Sequence, residues 1–362
     1  MAIEEQVYMM RCFELALRGA GWVHPNPMVG CVVVKNGRVV GEGYHGRFGG
    51  AHAEIMALKA AGRKAKGSTL YVNLEPCAHH GKTPPCVDAI LKAGIRRVVC
   101  ASEDPNPVVS GRGFRKLRRG GVAVSRGILR NEARELNERF FMYMETGIPF
   151  VGLKVAQTLD GRIADRRGAS KWITSPASRA YGHGLRSVYD AVLVGAGTVR
   201  SDNPLLTVRA IKGKDPIRVV LDGAFSVVLG ARLFRNSGAQ SIVLTSSAAL
   251  KRKRRKAVAL EKRGVAVFGI EGRTVLAPGA VLGLLGDLGI SSVLIEGGAK
   301  TIRPFLEAGL VNKIHCFIAP KILGEGVTGL SMQSKGLKDA RILSGVKVTA
   351  VGPDLLLEGT LK

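Results

Sequence analysis

Apolar positions such as Val7, Met10 and Leu17 recur at helical spacing over residues 3–20 and stop at Gly19-Ala20-Gly21, which predicts an amphipathic helix ended by glycine. Two short apolar runs, Cys31–Lys35 and Arg38–Gly41, flank Asn36-Gly37, the two-residue signal for a type I′ hairpin. Good helix formers fill 51–61. A strand is expected at Thr69–Leu74, a helix at 85–93, and strands at Arg97–Ala101 and Val122–Ser125. A single helix from Asn131, read as its N-cap, to about Glu145 closes the series. Thr146-Gly147-Ile148-Pro149 then interrupts the pattern, and a second alternation begins. Its strands are placed near 150–156, 191–194, 217–221, 241–244, 265–268, 292–295 and 314–319, with helices near 176–188 and 301–308. Strands separated by helices imply a mostly parallel sheet. No internal repeat is visible, so the chain reads as two different α/β domains, 1–146 and 147–362.

Composition narrows the class. Of 362 residues, 46% are hydrophobic and 23% charged, enough for two packed cores and unlike a disordered chain. No run reaches the roughly 18 apolar residues of a membrane span, and the opening MAIEEQVYMMR lacks the basic-then-apolar pattern of a signal peptide. A cytoplasmic location is the expectation. Lys and Arg total 54 against 28 Asp and Glu, a net charge of +26 that favours anionic partners. Charge alone does not separate phosphorylated metabolites, nucleic acid and plain solubility. The densest run, 251–256 (KRKRRK), reads as the solvated face of a surface helix. Six cysteines are too few and too scattered for a disulfide framework. Cys12, Cys31, Cys100 and Cys316 sit in apolar contexts and read as core fillers, whereas Cys77 and Cys86 do not.

His52-Ala53-Glu54 precedes a helix, Pro76-Cys77 follows a strand, and Cys86 falls near the start of the next helix. One imidazole and two thiolates suit zinc, which takes three protein ligands at a catalytic site and leaves the fourth position to water. A carboxylate that is not a ligand, here Glu54, can then carry protons. Histidine-x-glutamate followed by Pro-Cys-x-x-Cys is the pattern of zinc nucleobase deaminases. This chain departs from it by stretching the last element to Cys77-Ala-His-His-Gly-Lys-Thr-Pro-Pro-Cys86. A closed structural site using His79 or His80 as fourth ligand is the alternative, although it has no need of Glu54.

In the second half, Val293–Glu296 runs into Gly297-Gly298 and then a helix, the layout of a phosphate cradle or of an ordinary strand-to-helix turn. Gly195-Ala196-Gly197-Thr198-Val199-Arg200 is not a dinucleotide fingerprint, because Arg200 stands at the third glycine position and no acidic residue follows at the required distance.

The ordered set His24-Pro-Asn26-Pro-Met-Val-Gly30, Gly43-Tyr-His45, His52-Ala-Glu54, Glu75-Pro-Cys77 and His80-Gly-Lys82-Thr-Pro-Pro-Cys86 resembles the deaminase half of the bifunctional riboflavin-biosynthesis deaminase/reductase family. Ala78 stands where many members have serine. Lys154-Val-Ala156-Gln-Thr-Leu-Asp160-Gly, Ser170-Lys-Trp172-Ile-Thr-Ser175, Gly195–Val199 and Asp202-Asn-Pro-Leu-Leu206-Thr-Val-Arg209 are similar to its reductase half. The resemblance implies a cytidine-deaminase-like α/β/α sandwich followed by a dihydrofolate-reductase-like α/β domain. It implies zinc-dependent removal of the 2-amino group from 2,5-diamino-6-(5-phosphoribosylamino)pyrimidin-4-one, then NADPH-dependent reduction of the ribosyl to a ribityl chain. Carried over by position, His52, Cys77 and Cys86 hold one zinc and Glu54 shuttles protons, while Asn26, His45, His79 and Lys82 contact the first substrate. Ala156, Trp172, Thr198, Asp202 and Gly298 match the NADPH contacts. Ser170, Arg186, Leu206, Arg209 and Glu296 match the second substrate's contacts, with Lys154 as proton donor or ribose anchor.

Some of these roles make independent sense. Arg186 and Arg209 suit a 5-phosphate, which guanidinium groups bind bidentately, and Lys82 suits a phosphorylated ligand. Trp172 either stacks on the cofactor or belongs to the core, and Lys154 on a strand edge either acts in the site or snorkels. Arg162, Arg166 and Arg167 are within sequence reach of a cofactor 2′-phosphate. Competing readings are a deaminase of nucleic-acid bases, which the 5% aromatic content disfavours, and a zinc-stabilised scaffold. No membrane or nucleic-acid partner is expected, and a homo-oligomer is the family's expectation.

Overall fold

Asn36 and Gly37 both take the positive φ that a type I′ turn demands, 50° and 71°, in the computed structural model of the chain. The structure describes residues 3–79, 84–106, 109–235, 238–272, 274–334 and 336–361. They divide into two compact units, Met1–Gly147 and Ile148–Lys362.

The first unit runs α1 (Ile3–Leu17), β1 (Gly30–Lys35), β2 (Arg38–Tyr44), α2 (Ala53–Ala61), β3 (Thr69–Leu74), α3 (Cys86–Lys92), β4 (Arg97–Ser102), α4 (Arg112–Arg119), β5 (Ala123–Arg126), α5 (Arg130–Leu136) and α6 (Glu138–Thr146). Its sheet has the order β2-β1-β3-β4-β5, antiparallel about β1 and parallel from β3 to β5. The period of two along each strand sends alternate side chains to opposite cores. Cys31 and Val33 pack against Ala53, Ala57, Val87, Ile90, Phe114 and Leu117, whereas Val32 and Val34 pack against Met9, Cys12, Phe13 and Ala133. The result is an α/β/α sandwich. A Cβ at Gly43 would lie 2.4 Å from the Ala53 carbonyl oxygen and from the Ala57 nitrogen, so only glycine lets α2 lie this close to β2.

Two expectations are corrected here. The expected single helix from Asn131 is two, and Asn131 is not the cap: the helix opens at Arg130 after Leu129, which has φ 52°. The break falls at Asn137, because its carboxamide is committed to the Met28 backbone, accepting from Met28 N at 2.8 Å and donating to Met28 O at 2.9 Å. Helix α4 escaped the sequence reading because only Phe114 and Leu117 mark its buried side in an otherwise basic segment.

The second unit contains β6 (Phe150–Thr158), β7 (Arg162–Asp165), α7 (Pro176–Val188), β8 (Ala191–Gly195), α8 (Ala196–Asp202), β9 (Ile217–Leu221), β10 (Ser241–Ser246), α9 (Ser247–Arg252), α10 (Arg254–Glu261), β11 (Val265–Ile270), α11 (Pro278–Asp287), β12 (Ser292–Ile295), α12 (Ala299–Glu307), β13 (Lys313–Ala319), β14 (Gly326–Thr328), β15 (Leu343–Val351) and β16 (Asp354–Leu361). Nine strands form one sheet in the order β11-β10-β9-β8-β12-β6-β13-β16-β15, parallel from β11 to β13 and antiparallel through β16 and β15. The chain winds outward from β8 to β11 and returns to insert β12 between β8 and β6. Ligands in open α/β sheets gather beyond the carboxyl ends of strands at such a reversal. The basic run 251–256 spans two short helices broken at Lys253 rather than one.

Candidate functional site

His52 is the N-cap residue of α2 and Cys86 is the first residue of α3, so two helix N-termini meet Cys77 in the loop after β3. His52 Nδ1 lies 3.2 Å from Cys86 Sγ and 3.6 Å from Cys77 Sγ, and the Cys86 N–H points to Cys77 Sγ at 3.3 Å. One ligand atom from each of the three falls within 4.8 Å of the others. Tetrahedral zinc with bonds of about 2.3 Å to sulfur and 2.0 Å to nitrogen needs N···S separations of roughly 3.5 Å, so this donor set fits the ion. Hydrogen bonds from Cys86 and His52 hold the Cys77 thiol well below the ordinary cysteine range. Glu54, 3% exposed, lies one residue inside the helix, and burial together with the Cys77 charge pushes its carboxyl up to about 7.

His52, Glu54 and Cys77 line a cavity of about 360 Å³ shared with Asn26, His45, His79, Asp104, Asn106, Phe48, Phe140 and Met144, with Cys86 buried behind its wall. His45 Nδ1 donates to the Ala51 carbonyl at 3.1 Å, which leaves Nε2 to accept from Asn26 Nδ2 at 3.2 Å. Burial lowers the His45 pKa, keeping it neutral. Asn137, through Met28, braces the loop that carries Asn26. His79 lines the cavity without joining the three-residue cluster, and His80 and Lys82 lie outside the described residues.

Sequence reasoning missed the carboxylates behind this wall. Glu75, named only as part of a motif, accepts from the backbone N–H groups of Gly111 and Gly113 at 2.9 Å, Phe114 at 3.3 Å and Asp104 at 3.4 Å. It thereby tethers the start of α4 and the cavity-lining loop to β3. Asp104 is buried and its carboxyl is raised to about 6 by that burial. Its place after β4 gave no signal, since the contact with the cavity exists only once the sheet has formed.

The second cavity, about 540 Å³, lies in the second unit at the carboxyl ends of β6, β8 and β12. It gathers Lys154, Ala156, Ser170, Trp172, Arg186, Thr198, Asp202, Leu206, Arg209, Glu296 and Gly298, which lie as much as 144 positions apart in the chain. Gly297 has φ 105° and Gly298 is the N-cap of α12 with no side-chain cap, leaving the first amides of that helix for an anion. A Cβ on Gly298 would stand 3.5 Å from Thr198 Oγ1. This open cradle fits a phosphorylated cofactor. Trp172 is 62% exposed with the Arg179 guanidinium 4.3 Å from its ring centroid, so it is not a core residue.

The two arginines differ. Arg186 is committed to Glu296, Nε to Oε1 at 2.5 Å and Nη2 to Oε2 at 2.8 Å, and donates through Nη1 to the Thr207 carbonyl at 3.2 Å. Burial alone would raise the Glu296 carboxyl, but Arg186, Lys154 and His183 outweigh it and hold it at about 2. Arg209 makes no ion pair among the described residues. Desolvation and the charges of Arg186 and Arg232 push its pKa down, the condition an incoming anion relieves. Burial likewise lowers Lys154. Arg162 donates to Gly324 O and Thr328 Oγ1 and Arg166 pairs with Glu325; neither these nor Arg167 lines the cavity.

A zinc-compatible deaminase-like unit followed by an anion-cradling α/β unit is the class this architecture defines. The first unit matches the cytidine and deoxycytidylate deaminase zinc-binding region over residues 3–102, and the second matches the RibD C-terminal domain over 149–357. The chain is 46% identical over 351 residues to the riboflavin biosynthesis protein RibD of Aquifex aeolicus, covering 97% of this chain and 96% of that one. It is 40% identical to the protein of the same name from Escherichia coli, over 98% and 99% of the two chains. The solved structure of Acinetobacter baumannii RibD superposes with a TM-score of 0.90 at 36% identity, covering 99% of each chain. That of a diaminohydroxyphosphoribosylaminopyrimidine deaminase/5-amino-6-(5-phosphoribosylamino)uracil reductase from Thermotoga maritima does so at 0.84 and 41%, also over 99% of each. The chain belongs to the RibD family of riboflavin biosynthesis proteins. Among the described residues no helix is long and apolar enough to cross a membrane.

Proposed function

We infer that the two cavities carry out successive steps of riboflavin biosynthesis: hydrolytic deamination of the diaminopyrimidinone ribotide in the first unit, and NADPH-dependent reduction of its ribosyl group in the second. The observation that carries this reading is that each unit has a cavity of matching chemistry: a zinc-compatible triad and a buried acid at the wall of one, and a helix-start cradle with Lys154 and Arg209, the latter without an ion pair among the described residues, in the other.

In the first cavity His52, Cys77 and Cys86 would hold one zinc ion, which supplies the charge that makes water nucleophilic near neutral pH. Glu54 takes the proton from the attacking water and returns it to the departing amine, and a carboxyl near 7 is suited to both transfers. Asn26, His45 and His79 hold the pyrimidine, and Asp104 is placed to accept a hydrogen bond from an amino group of the ring. In the second cavity Ala156, Trp172, Thr198, Asp202 and the Gly298 turn would hold NADPH, which when bound would supply the hydride. Glu296, oriented by Arg186, holds the ribose with Ser170 and Leu206, Lys154 donates the proton that reduction requires, and Arg209 takes the phosphate ester.

The test is a coupled assay on the purified protein with zinc quantified, following ammonia release and NADPH consumption separately. Both are expected from the ribotide. Glu54→Gln is expected to keep zinc and lower ammonia release by at least about a hundredfold, without affecting NADPH consumption when the deaminated ribotide is supplied. Ammonia release with NADPH untouched would sink the second-unit assignment.

A further inference from the structure

His183 belongs to no motif singled out in the sequence, yet it is buried, 8% exposed, and bonded to the backbone of Arg209, which lines the second cavity. It lies one helical turn before Arg186 on α7, so the two side chains share a face. Both reach the same segment of the 203–209 loop, with opposite polarity. Arg186 Nη1 donates to the Thr207 carbonyl at 3.2 Å, and His183 Nδ1 accepts the backbone N–H of Arg209 at 3.2 Å. Between them the Val208 N–H donates to Asp215 Oδ1 at 2.6 Å. Three consecutive residues of an irregular segment are thus pinned by three side chains. The pinning has a purpose, because Leu206 just upstream has φ 57° with its side chain buried, a backbone state that non-glycine residues hold only when their surroundings enforce it.

We propose that His183 is a positioning residue for the reductase site: by accepting the Arg209 amide it fixes the backbone from which the Arg209 guanidinium meets the phosphate ester of the substrate. The inference rests on the assignment of that phosphate to Arg209 above. The tautomer follows from the geometry, since an accepting Nδ1 places the ring proton on Nε2. Desolvation first, then the charges of Arg186 and Arg209, lower the His183 pKa and outweigh Glu296 and the Thr207 backbone, so the acceptor persists at neutral pH. Arg186, engaged by Glu296 and the Thr207 carbonyl, orders the same segment from its other edge. A loop held this way presents Arg209 without the entropy loss of ordering it at each binding event.

The experiment compares His183→Leu and His183→Asn, the latter placing an amide oxygen where Nδ1 stood, in steady-state reduction of the deaminated ribotide and of its dephosphorylated riboside. His183→Leu should raise KM for the ribotide about tenfold with kcat nearly unchanged, and leave the riboside KM unaltered. His183→Asn should restore most of the loss, and in an Arg209→Ala background His183→Leu should add little. Thermal melts accompany each variant, with His183→Met as substitute should the leucine variant not fold. Equal losses on ribotide and riboside, or a full His183 effect without Arg209, would overturn the proposal. If Arg209→Ala raises KM and His183→Leu does not, the phosphate assignment stands and the positioning role alone falls. If Arg209→Ala leaves KM unchanged, the phosphate assignment fails and takes the proposal with it.

Discussion

Removing Arg186 should destabilise the second unit far more than deleting the Arg186–Glu296 pair as a whole. The Glu296 side chain is 7% exposed and that of Arg186 15%, and two short hydrogen bonds join them. Arg186→Met leaves a nearly buried carboxylate without its ion-pair partner, a loss of about 3–5 kcal/mol for a buried pair cut on one side. Lys154 remains as a partial counter-charge, which places the expected value near 3. Arg186→Met with Glu296→Gln removes the charge as well and should cost only about 1 kcal/mol. The assay is urea unfolding at pH 7 followed by Trp172 fluorescence in a Trp22→Phe background, because the chain has two tryptophans, one in each unit.

The pH dependence gives a second check on the same number. Glu296 is held at about 2 against its ordinary 4.5, so the folded state binds this proton less readily than the unfolded chain. The stabilisation is therefore complete above pH 4.5 and is lost as pH falls toward 2. A depression of that size is worth roughly 3 kcal/mol. In Arg186→Met this acid-dependent loss should largely vanish, since the unpaired carboxyl no longer has a depressed pKa. The reasoning is refuted if Arg186→Met costs less than about 1 kcal/mol at pH 7, or if the double variant is no more stable than the single one.

Two further outcomes follow from the first unit. Glu75→Ala strips the acceptor from three backbone N–H groups at the start of α4 and from that of Asp104, and should cost about 2–4 kcal/mol, read as a lower Tm, with KM for deamination raised because the Asp104 loop loosens. In metal-free protein at pH 7, iodoacetamide should label Cys77 much faster than Cys12, Cys31, Cys100 and Cys316: hydrogen bonds from Cys86 and His52 lower the Cys77 thiol, and burial raises the other four thiols. Zinc should abolish the difference; equal labelling by mass spectrometry would contradict the geometry of the triad.

Local chemistry was legible where a residue type has few uses. Asn36-Gly37 has one common role between two apolar runs, and it makes that turn. One histidine and two cysteines at these spacings pointed to a metal-binding set, and their ligand atoms converge within 4.8 Å. The alternation of strands and helices determined the parallel sheet of the second unit and the presence of its Gly-Gly turn. What remained hidden depended on partners distant in the chain. Asn137 splits a helix for the sake of Met28, 109 residues away, and a polar residue in a helical stretch carries no sign of that obligation. Arg186 and Arg209 looked alike in sequence, and only the arrival of Glu296 at the end of β12 decides that one is spent and the other free. Asp104, Glu75 and His183 acquire their work in the same way. Periodicity and motif spacing encode which face is buried and which atoms could bind a metal, because those are properties of adjacent residues. Charge pairing, desolvation and backbone tethering depend on what packing brings within a few ångströms, and that is set by the tertiary structure alone.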